Sequence, residues 1–341
     1  MGNKKTLTFI ITISIVLILI CCLCCSLFSF SLIGALGQST NSYKYKYSYG
    51  TETSNNKLLA INVAGVINTT DNSSLSILQS NSTAGYSIKD ELYRAAKDDS
   101  IKGIILVINS PGGTITGANA ISDGITYYRT KTHKPVIAYI EGSGESGAYW
   151  TAASADYIIA DKGSLSGSIG VILGPFQYYD KQTAAGDLMN GVIVTQNGID
   201  TSYITAGKYK DTGSPYRKMT AEETQHWQTE INDEYDLFVN FVSQRRNITS
   251  EQIRNQIGAL SYGDKEALAL KLIDKIGNRE DSYAELANRI GIKGDDYMVV
   301  TENSSGGILG NILGKSLIKQ SQVNCSLCTQ PLLLAGNPAD Y

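Results

Sequence analysis

Tyr139-Ile-Glu-Gly-Ser-Gly-Glu-Ser-Gly-Ala-Tyr-Trp150 is the stretch around which the rest of this chain is organised. An apolar, β-prone run from Pro135 to Ile140 leads into its small residues, and a helix-compatible run from Ala148 to Ala155 follows. A strand that turns sharply into a helix exposes the turn residue and leaves backbone N–H groups unpaired beside it. Ser146 lies at this turn, where a substrate carbonyl has room and a developing oxyanion has donors. Taken alone, the stretch also fits a tight glycine-rich turn with an incidental serine.

Short apolar runs alternate with helical patterns on both sides of this turn. Ile101 to Ile108 is nearly continuous in apolar residues, which is typical of a strand buried on both faces. It ends at Asn109-Ser-Pro-Gly-Gly113, a turn signal, and a helical pattern follows from about Gly117 to Arg129. The alternation predicts an α/β fold built in layers, with a largely parallel sheet.

Two pairs of residues predict where helices begin. Ser87 and Asp90 form a possible capping box for a helix over Ser87–Lys97. Thr220 and Glu223 form another, ahead of a long pattern of apolar residues at helical spacing. We expect the apolar face of this long helix to pack in the core or against another subunit.

The amino terminus predicts a membrane anchor. Lys4 and Lys5 precede an uncharged run, and its apolar part is longer than the roughly 20 residues that cross a bilayer. The lysines favour a cytoplasmic N-terminus and place the rest of the chain outside the cytoplasm, so we expect a single-pass protein of the cell membrane. The predicted segments are a cytoplasmic N-terminus (1–6), a transmembrane helix (7–36), a polar linker (37–57), a catalytic domain (58–301) and a flexible tail (302–341).

Composition argues against several classes of function. The net charge of −3 over 341 residues gives no reason to expect a nucleic acid partner. Cys325 and Cys328 form one CxxC pair, but a zinc site needs further ligands and the chain has only two histidines. We therefore expect no metal and no cofactor, and the chain has no phosphate-binding loop of the Walker type. Whether the two cysteines form a disulfide stays open.

A nucleophilic serine needs a base, and the residues offer two kinds. His226, downstream of Ser146, would suit a Ser–His α/β-hydrolase, but the expected glycine two residues after the nucleophile is Ala148. The alternative base is a lysine, and Lys208 and Lys210 lie in Gly207-Lys-Tyr-Lys-Asp211. A lysine acts as a base near neutral pH only if burial lowers its pKa from about 10.4.

Several motifs together resemble one family. In order along the chain they are Asn109-Ser-Pro-Gly-Gly113, Ser146-Gly-Ala-Tyr-Trp150, Ser166-Gly-Ser-Ile-Gly-Val171, Gly207-Lys-Tyr-Lys-Asp211, Ser214-Pro215, Tyr262-Gly-Asp-Lys-Glu-Ala267 and Leu272-Ile-Asp-Lys-Ile-Gly277. Their order and spacing are similar to those of the signal peptide peptidase A family, in its short, single-module form. The resemblance covers about Leu58 to Ile290 and implies a Clp/crotonase-like fold with a Ser–Lys dyad.

The resemblance also implies a role for individual residues. Ser146 would be the nucleophile and Lys210 the general base, with Ser168 orienting the lysine amine. The backbone amides of Gly113 and Gly147 would form the oxyanion hole. The short form of the family implies a ring-like homo-oligomer in which a neighbouring subunit supplies the lysine.

One residue departs from the family pattern. The position before the nucleophile is usually small, and here it is Glu145. A carboxylate beside the lysine would stabilise its charged form and weaken it as a base, so we expect Glu145 to point away. The leading hypothesis is a membrane-anchored serine endopeptidase that cleaves hydrophobic peptides such as remnant signal peptides. The alternatives are a catalytically silent oligomeric scaffold of crotonase-like fold and a Ser–His hydrolase.

Overall fold

The sheet that positions the candidate site joins strands from both ends of the described chain. The structure, a computed structural model, describes residues 45–70, 82–180, 182–187 and 191–303, and Lys46–Glu302 forms one unit. The strands are β1 (Tyr45–Gly50), β2 (Lys57–Ala64), β3 (Val66–Asn68), β4 (Ser82–Ala84), β5 (Ile101–Ser110), β6 (Val136–Glu145), β7 (Tyr157–Ala160), β8 (Leu165–Gly167), β9 (Gln182–Asp187), β10 (Gly191–Ile199), β11 (Ser261–Gly263), β12 (Lys275–Ile276) and β13 (Met298–Glu302). The helices are α1 (Gly85–Ala95), α2 (Ile115–Thr132), α3 (Gly147–Ala153), α4 (Ala221–Arg246), α5 (Ser250–Gln252, continued by a π-turn over Ile253–Ile257), α6 (Asp264–Ala269) and α7 (Arg279–Arg289).

The main sheet is largely parallel, as the alternating pattern predicts. Among the described residues its order is β1-β13-β2-β5-β6-β7-β12, and β8 pairs with both β6 and β11. The pairs from β13 through β2, β5, β6 and β7 to β12 are all parallel, as is β6 with β8, whereas β8 and β11 are antiparallel. Because β5 and β6 are parallel neighbours, the turns that follow them meet at the same edge of the sheet.

The central strands are buried on both faces. Ile104, Ile105, Leu106 and Ile108 of β5 are fully buried, which confirms the expectation from the apolar run. On one face, α7 places Leu286 against the sheet, and a side chain at Gly103 would meet Leu286 Cδ1 at 2.8 Å. Layers of helix on a parallel sheet are the mixed α/β architecture that the sequence predicts.

Two expectations about segment boundaries are wrong. The proposed capping box at Ser87 and Asp90 does not form: α1 begins earlier, at Gly85, and its N-cap Ala84 makes no side-chain cap. The predicted linker (37–57) also contains a strand, because β1 lies within it and pairs with β13 in the main sheet. The alternating tyrosines of β1 explain this, because aromatic residues at period two favour a strand, and the Tyr49 ring lies 5.3 Å from that of Tyr283.

The long helix α4 begins as predicted. Thr220 accepts a hydrogen bond from the Glu223 N–H, and the Glu223 side chain accepts one from the Thr220 N–H, so the capping box is complete. Among residues 45–303, as far as they are described, no helix has the length and apolar character needed to span a membrane. The predicted anchor (7–36) and most of the predicted tail (302–341) lie outside the described residues, and both stay predictions.

Candidate active site

Ser146 occupies a strained turn between β6 and α3. Its backbone has φ 53° and ψ −124°, a combination that residues with a side chain rarely adopt. The Ser146 N–H donates to Gly167 O at 2.9 Å, and its carbonyl accepts from the Trp150 N–H at 3.0 Å. The turn is therefore fixed on both sides while the half-buried serine side chain makes no hydrogen bond to any described residue. Such strain at a turn serine presents its hydroxyl to a ligand.

The two predicted oxyanion amides lie close together. Ile67 donates its N–H to Gly112 O at 2.8 Å and accepts from the Thr114 N–H at 2.7 Å. Gly113 is the residue between these two partners of Ile67, and its own N–H has no acceptor among the described residues. Gly147 is the first residue of α3, so its N–H has no acceptor within the helix. A methyl group added at Gly147 would lie 3.5 Å from Gly113 N, which places both donors at one side of Ser146.

Glycine is required where the turns after β5 and β6 meet. Gly112 has φ +101°, and a Cβ there would lie 2.8 Å from Ser146 Cβ. A Cβ on Gly113 would lie 2.1 Å from Ile67 O. Both approaches are too short for a side chain, so the Gly-Gly pair lets the two turns touch. The role of Gly112 was not predicted from the sequence, although its place in the turn motif is a usable signal.

Ser168 lies at the same edge of the sheet as Ser146. β8 pairs with the end of β6, so that Glu145 faces Gly167, and Ser168 follows directly. The Ser168 N–H donates to Leu260 O at 2.7 Å, and its φ of 52° marks a second strained serine. The structure therefore brings together four of the five predicted site residues: Gly113, Ser146, Gly147 and Ser168.

Ser146 opens into a largely apolar pocket of about 380 Å³. This volume lies within the usual range for a ligand site. Its lining consists of Val66, Gly113, Thr114, Ile115, Ala118, Ser146, Gly147, Trp150, Gly170, Val171, Ile172, Glu234 and Phe238. The Trp150 ring stacks on Phe241 at 4.6 Å and lies 4.9 Å from Phe238, so α4 and α3 form one aromatic wall. The sequence analysis placed the apolar residues of α4 in a core or interface and missed their place in this wall.

Lys210 is not among the residues that line the Ser146 pocket. It lies in a separate depression of about 290 Å³, together with Tyr203, Thr205, Asp211, Thr212, Gly213 and Ser214. The Lys210 side chain is exposed and forms no ion pair with any described residue. The nearby Lys208 differs, because its ammonium pairs with the Glu222 carboxylate at 3.0 Å and lies 4.4 Å from the Tyr209 ring. Lys210 is therefore the lysine of this motif that is left available.

The loop that carries Lys210 is tied to the start of α4 by Arg217. The guanidinium donates to both oxygens of Asp211, at 2.8 and 2.7 Å, and to both oxygens of Glu223, at 2.8 and 2.6 Å. Arg217 lowers the pKa of Asp211 and holds the pKa of the buried Glu223 well below its usual range. One bidentate pair holds Asp211, the neighbour of Lys210, and the other anchors Arg217 to Glu223 at the start of α4. The role of Arg217 was not predicted from the sequence, because its partners lie six residues away on either side.

Neither histidine lines the Ser146 pocket. His133 ends α2 in the left-handed conformation, with its N–H donating to Arg129 O at 2.9 Å. His226 is exposed on the first turns of α4, where its ring lies 5.2 Å from that of Trp227. His133 thus has a structural position at a helix end, and His226 lies at the surface. No group of His, Cys, Asp and Glu side chains within the described part of the chain is arranged to hold a metal ion.

Glu145 points away from the nucleophile. Its carboxylate accepts hydrogen bonds from the hydroxyls of Ser143 and Ser261, on β6 and β11. It does not line the pocket that contains Ser146. Two hydroxyl donors thus accommodate the glutamate that stands where the family pattern has a small residue. These contacts agree with the expectation that Glu145 points away.

A strained serine, two convergent amides and an apolar pocket define a serine-type hydrolase site. Comparison with known proteins agrees with this class. The family model described as peptidase family S49 matches residues 128–293, and the Clp protease model matches residues 70–158. The peptidase family S49 match spans just under half of the chain, and together with the Clp protease match and the protease-named relatives it supports the resemblance to the signal peptide peptidase A family that the motifs predict.

Three relatives indicate how far the similarity extends. A putative protease of Methanocaldococcus jannaschii is 35% identical over 63% of this chain and 64% of its own length. A putative signal peptide peptidase of Enterococcus faecium is 27% identical over 77% of this chain and 72% of its own. Protease 4 of Haemophilus influenzae is 30% identical over 69% of this chain but only 34% of its own. The chain thus matches less than two thirds of the first relative and about a third of the last.

Proposed function

We propose that this chain is a membrane-anchored serine endopeptidase that cleaves hydrophobic peptides, such as remnant signal peptides, with a Ser146–Lys210 dyad. The observation that carries the proposal is the geometry of the Ser146 turn, where a hydroxyl with no hydrogen-bond partner among the described residues lies beside the amides of Gly113 and Gly147. Both donors are backbone groups on rigid elements, so they need little rearrangement to receive an oxyanion.

The proposed reaction proceeds through an acyl-enzyme. Neutral Lys210 Nζ takes the proton of the Ser146 hydroxyl as Oγ bonds to the scissile carbonyl carbon, and the carbonyl π electrons move to oxygen. The Gly113 and Gly147 N–H groups bind that oxyanion. When the oxyanion collapses, the C–N bond breaks and the leaving amine takes the proton from Lys210. Lys210 then takes a proton from water as the water oxygen bonds to the acyl carbon. When this second oxyanion collapses, the bond from carbon to Ser146 Oγ breaks, Oγ takes the proton back from Lys210, and the carboxylic acid product leaves.

We further propose that a neighbouring subunit supplies Lys210 within a ring-like homo-oligomer. In one chain Lys210 and Ser146 line separate depressions. The segment between α3 and α4 carries large apolar side chains in water, including Ile172 at 90% exposure and Ile204 at 105%. Exposed apolar patches of this kind favour a protein interface. Because burial favours the neutral amine, docking of this segment would also activate Lys210 as a base.

The pocket and the amino terminus support the proposed substrate class and location. The apolar lining around Ser146 suits an apolar peptide, and the predicted anchor (7–36) would hold the catalytic domain beside the membrane in which such peptides lie. The lysines before that anchor favour a catalytic domain outside the cytoplasm.

The test is peptidase activity of the detergent-solubilised full chain on unstructured apolar peptides. Ser146→Ala and Lys210→Ala are each expected to abolish cleavage, while Lys208→Ala, a matched control two residues away, retains it. Loss of activity in His226→Ala together with full activity in Lys210→Ala would instead identify a Ser–His hydrolase. An oligomer with no cleavage and no covalent labelling at Ser146 by a fluorophosphonate would identify a silent scaffold.

A further inference from the structure

One charged residue interrupts the apolar lining of the Ser146 pocket. Glu234 is the only ionisable side chain among the residues that line it. It lies one turn before Phe238 on α4, so the two residues share a helix face, and both line the pocket together with Trp150. Sequence reasoning assigned no role to Glu234.

The Glu234 carboxylate is half-buried and has no ion pair or hydrogen bond with any described residue. Three other acidic side chains of α4 are paired, Glu222 with Lys208, Glu223 with Arg217 and Asp236 with Arg254, whereas Glu230 and Asp233 are exposed to solvent and lie outside the pocket. A half-buried carboxylate in apolar surroundings is stabilised when a cation reaches it. The pocket therefore offers a single anionic contact without a partner, close to the nucleophile.

We propose that Glu234 is a specificity-determining residue that selects peptides with a lysine or arginine next to an apolar run. Long basic side chains suit this wall, because their methylene stems pack on apolar surface while the charged head reaches the carboxylate. This inference rests on the proposed peptidase function and narrows its substrate class. A signal peptide combines the same two features, a basic segment followed by an apolar segment.

The experiment compares apolar peptides that carry lysine, norleucine or glutamate at each position in turn. Norleucine keeps the methylene stem and removes the charge. For the full chain we expect kcat/KM about tenfold higher for the lysine peptide than for the norleucine peptide at one position, as for a charge-assisted contact, and a smaller ratio at high salt. In Glu234→Gln the ratio falls to about one, and in Glu234→Lys the glutamate peptide becomes the better substrate. Glu230→Gln, an exposed acid one turn earlier on α4, keeps the wild-type ratio.

Two results would overturn the inference while the peptidase proposal stands. One is Ser146-dependent cleavage with equal rates for lysine and norleucine peptides at every position. The other is a Glu234→Gln variant that keeps the lysine preference but shifts the acid limb of its pH–rate profile, which would place Glu234 against the catalytic lysine of a neighbouring subunit. Binding of the labelled peptides to Ser146→Ala, measured by fluorescence anisotropy, tests the preference without catalysis. A Glu234-dependent preference there supports the inference even if cleavage is never found.

Discussion

We expect Glu91 to make the stability of the folded domain depend on pH. It lies on α1, half-buried, near the Glu302 carboxylate that accepts both hydrogen bonds from Arg94. Burial, with a smaller contribution from the charge of Glu302, raises the pKa of Glu91 from 4.5 to about 7, and Arg94 opposes this only in part. Between these two pH values, therefore, Glu91 keeps its proton in the folded state and has lost it in the unfolded chain.

The sign and size of the effect follow from linkage. As the pH rises from 4.5 to 7, the folded state binds more protons than the unfolded state, so the free energy of unfolding falls across that window and levels off above it. A shift of 2.5 pKa units, from 4.5 to 7, corresponds to at most about 3 kcal/mol at 1.36 kcal/mol per unit. Glu91→Gln removes the titrating group, so we expect it to match the wild type near pH 4.5 and to be more stable by up to about 3 kcal/mol at pH 8.

The assay is urea denaturation of both proteins in detergent, followed by circular dichroism from pH 4.5 to 8. Their difference in unfolding free energy should grow through the window and then stay constant. Equal slopes against pH for Glu91→Gln and wild type would refute the reasoning, because the titrating group would then lie elsewhere. Glu302→Gln is an independent check: it removes the like charge and frees Arg94 to pair with Glu91, so the pH dependence should weaken without being abolished.

Three other perturbations test the site and its support. Gly113→Ala should lower kcat by about 100-fold or more, because its Cβ would lie 2.1 Å from Ile67 O and displace an oxyanion donor; unchanged steady-state kinetics would contradict that role. Glu145→Ala should leave the pH–rate profile unchanged, since its carboxylate binds two serine hydroxyls outside the pocket; a shifted acid limb would show that it acts on the base. Arg246→Met should destabilise the fold by about 3 kcal/mol in urea denaturation, because the buried guanidinium pairs with Asp274 at 2.8 Å; a stability equal to wild type would show that the pair contributes no net energy.

Short sequence patterns predict much of the fold and part of the candidate site. The apolar run of β5 and the small residues around Ser146 predicted a parallel sheet with a reactive turn at its edge, because burial and turn geometry act over a few residues. The turn at Gly112 and Gly113 before α2 is likewise predicted by its motif, because turn geometry depends on a few neighbouring residues. What the motifs could not supply was contact between distant elements. Glu234 joins the Ser146 pocket only because α4 packs against α3, nearly ninety residues after the nucleophile.

The two boundary errors have physical causes as well. Serine followed three residues later by an acid is common outside helix starts, and at Ser87 the helix had already begun. The polarity of the tyrosine-rich segment predicts a linker, whereas its period-two pattern favours the strand that pairs with β13. In each case tertiary packing selected one of two structures that the local sequence allows.

The central claim is a Ser–Lys dyad shared between subunits, and complementation tests it most directly. Ser146→Ala and Lys210→Ala proteins, each inactive, are mixed under conditions in which subunit exchange is verified by labelled chains, and cleavage of an apolar peptide is measured. If Lys210 acts on the serine of its neighbour, mixed oligomers contain sites with both residues intact, and activity returns to about a quarter of the wild-type value for random two-subunit pairing at each site. Activity that stays absent, with exchange demonstrated and both variants folded and oligomeric, would contradict a dyad shared between subunits.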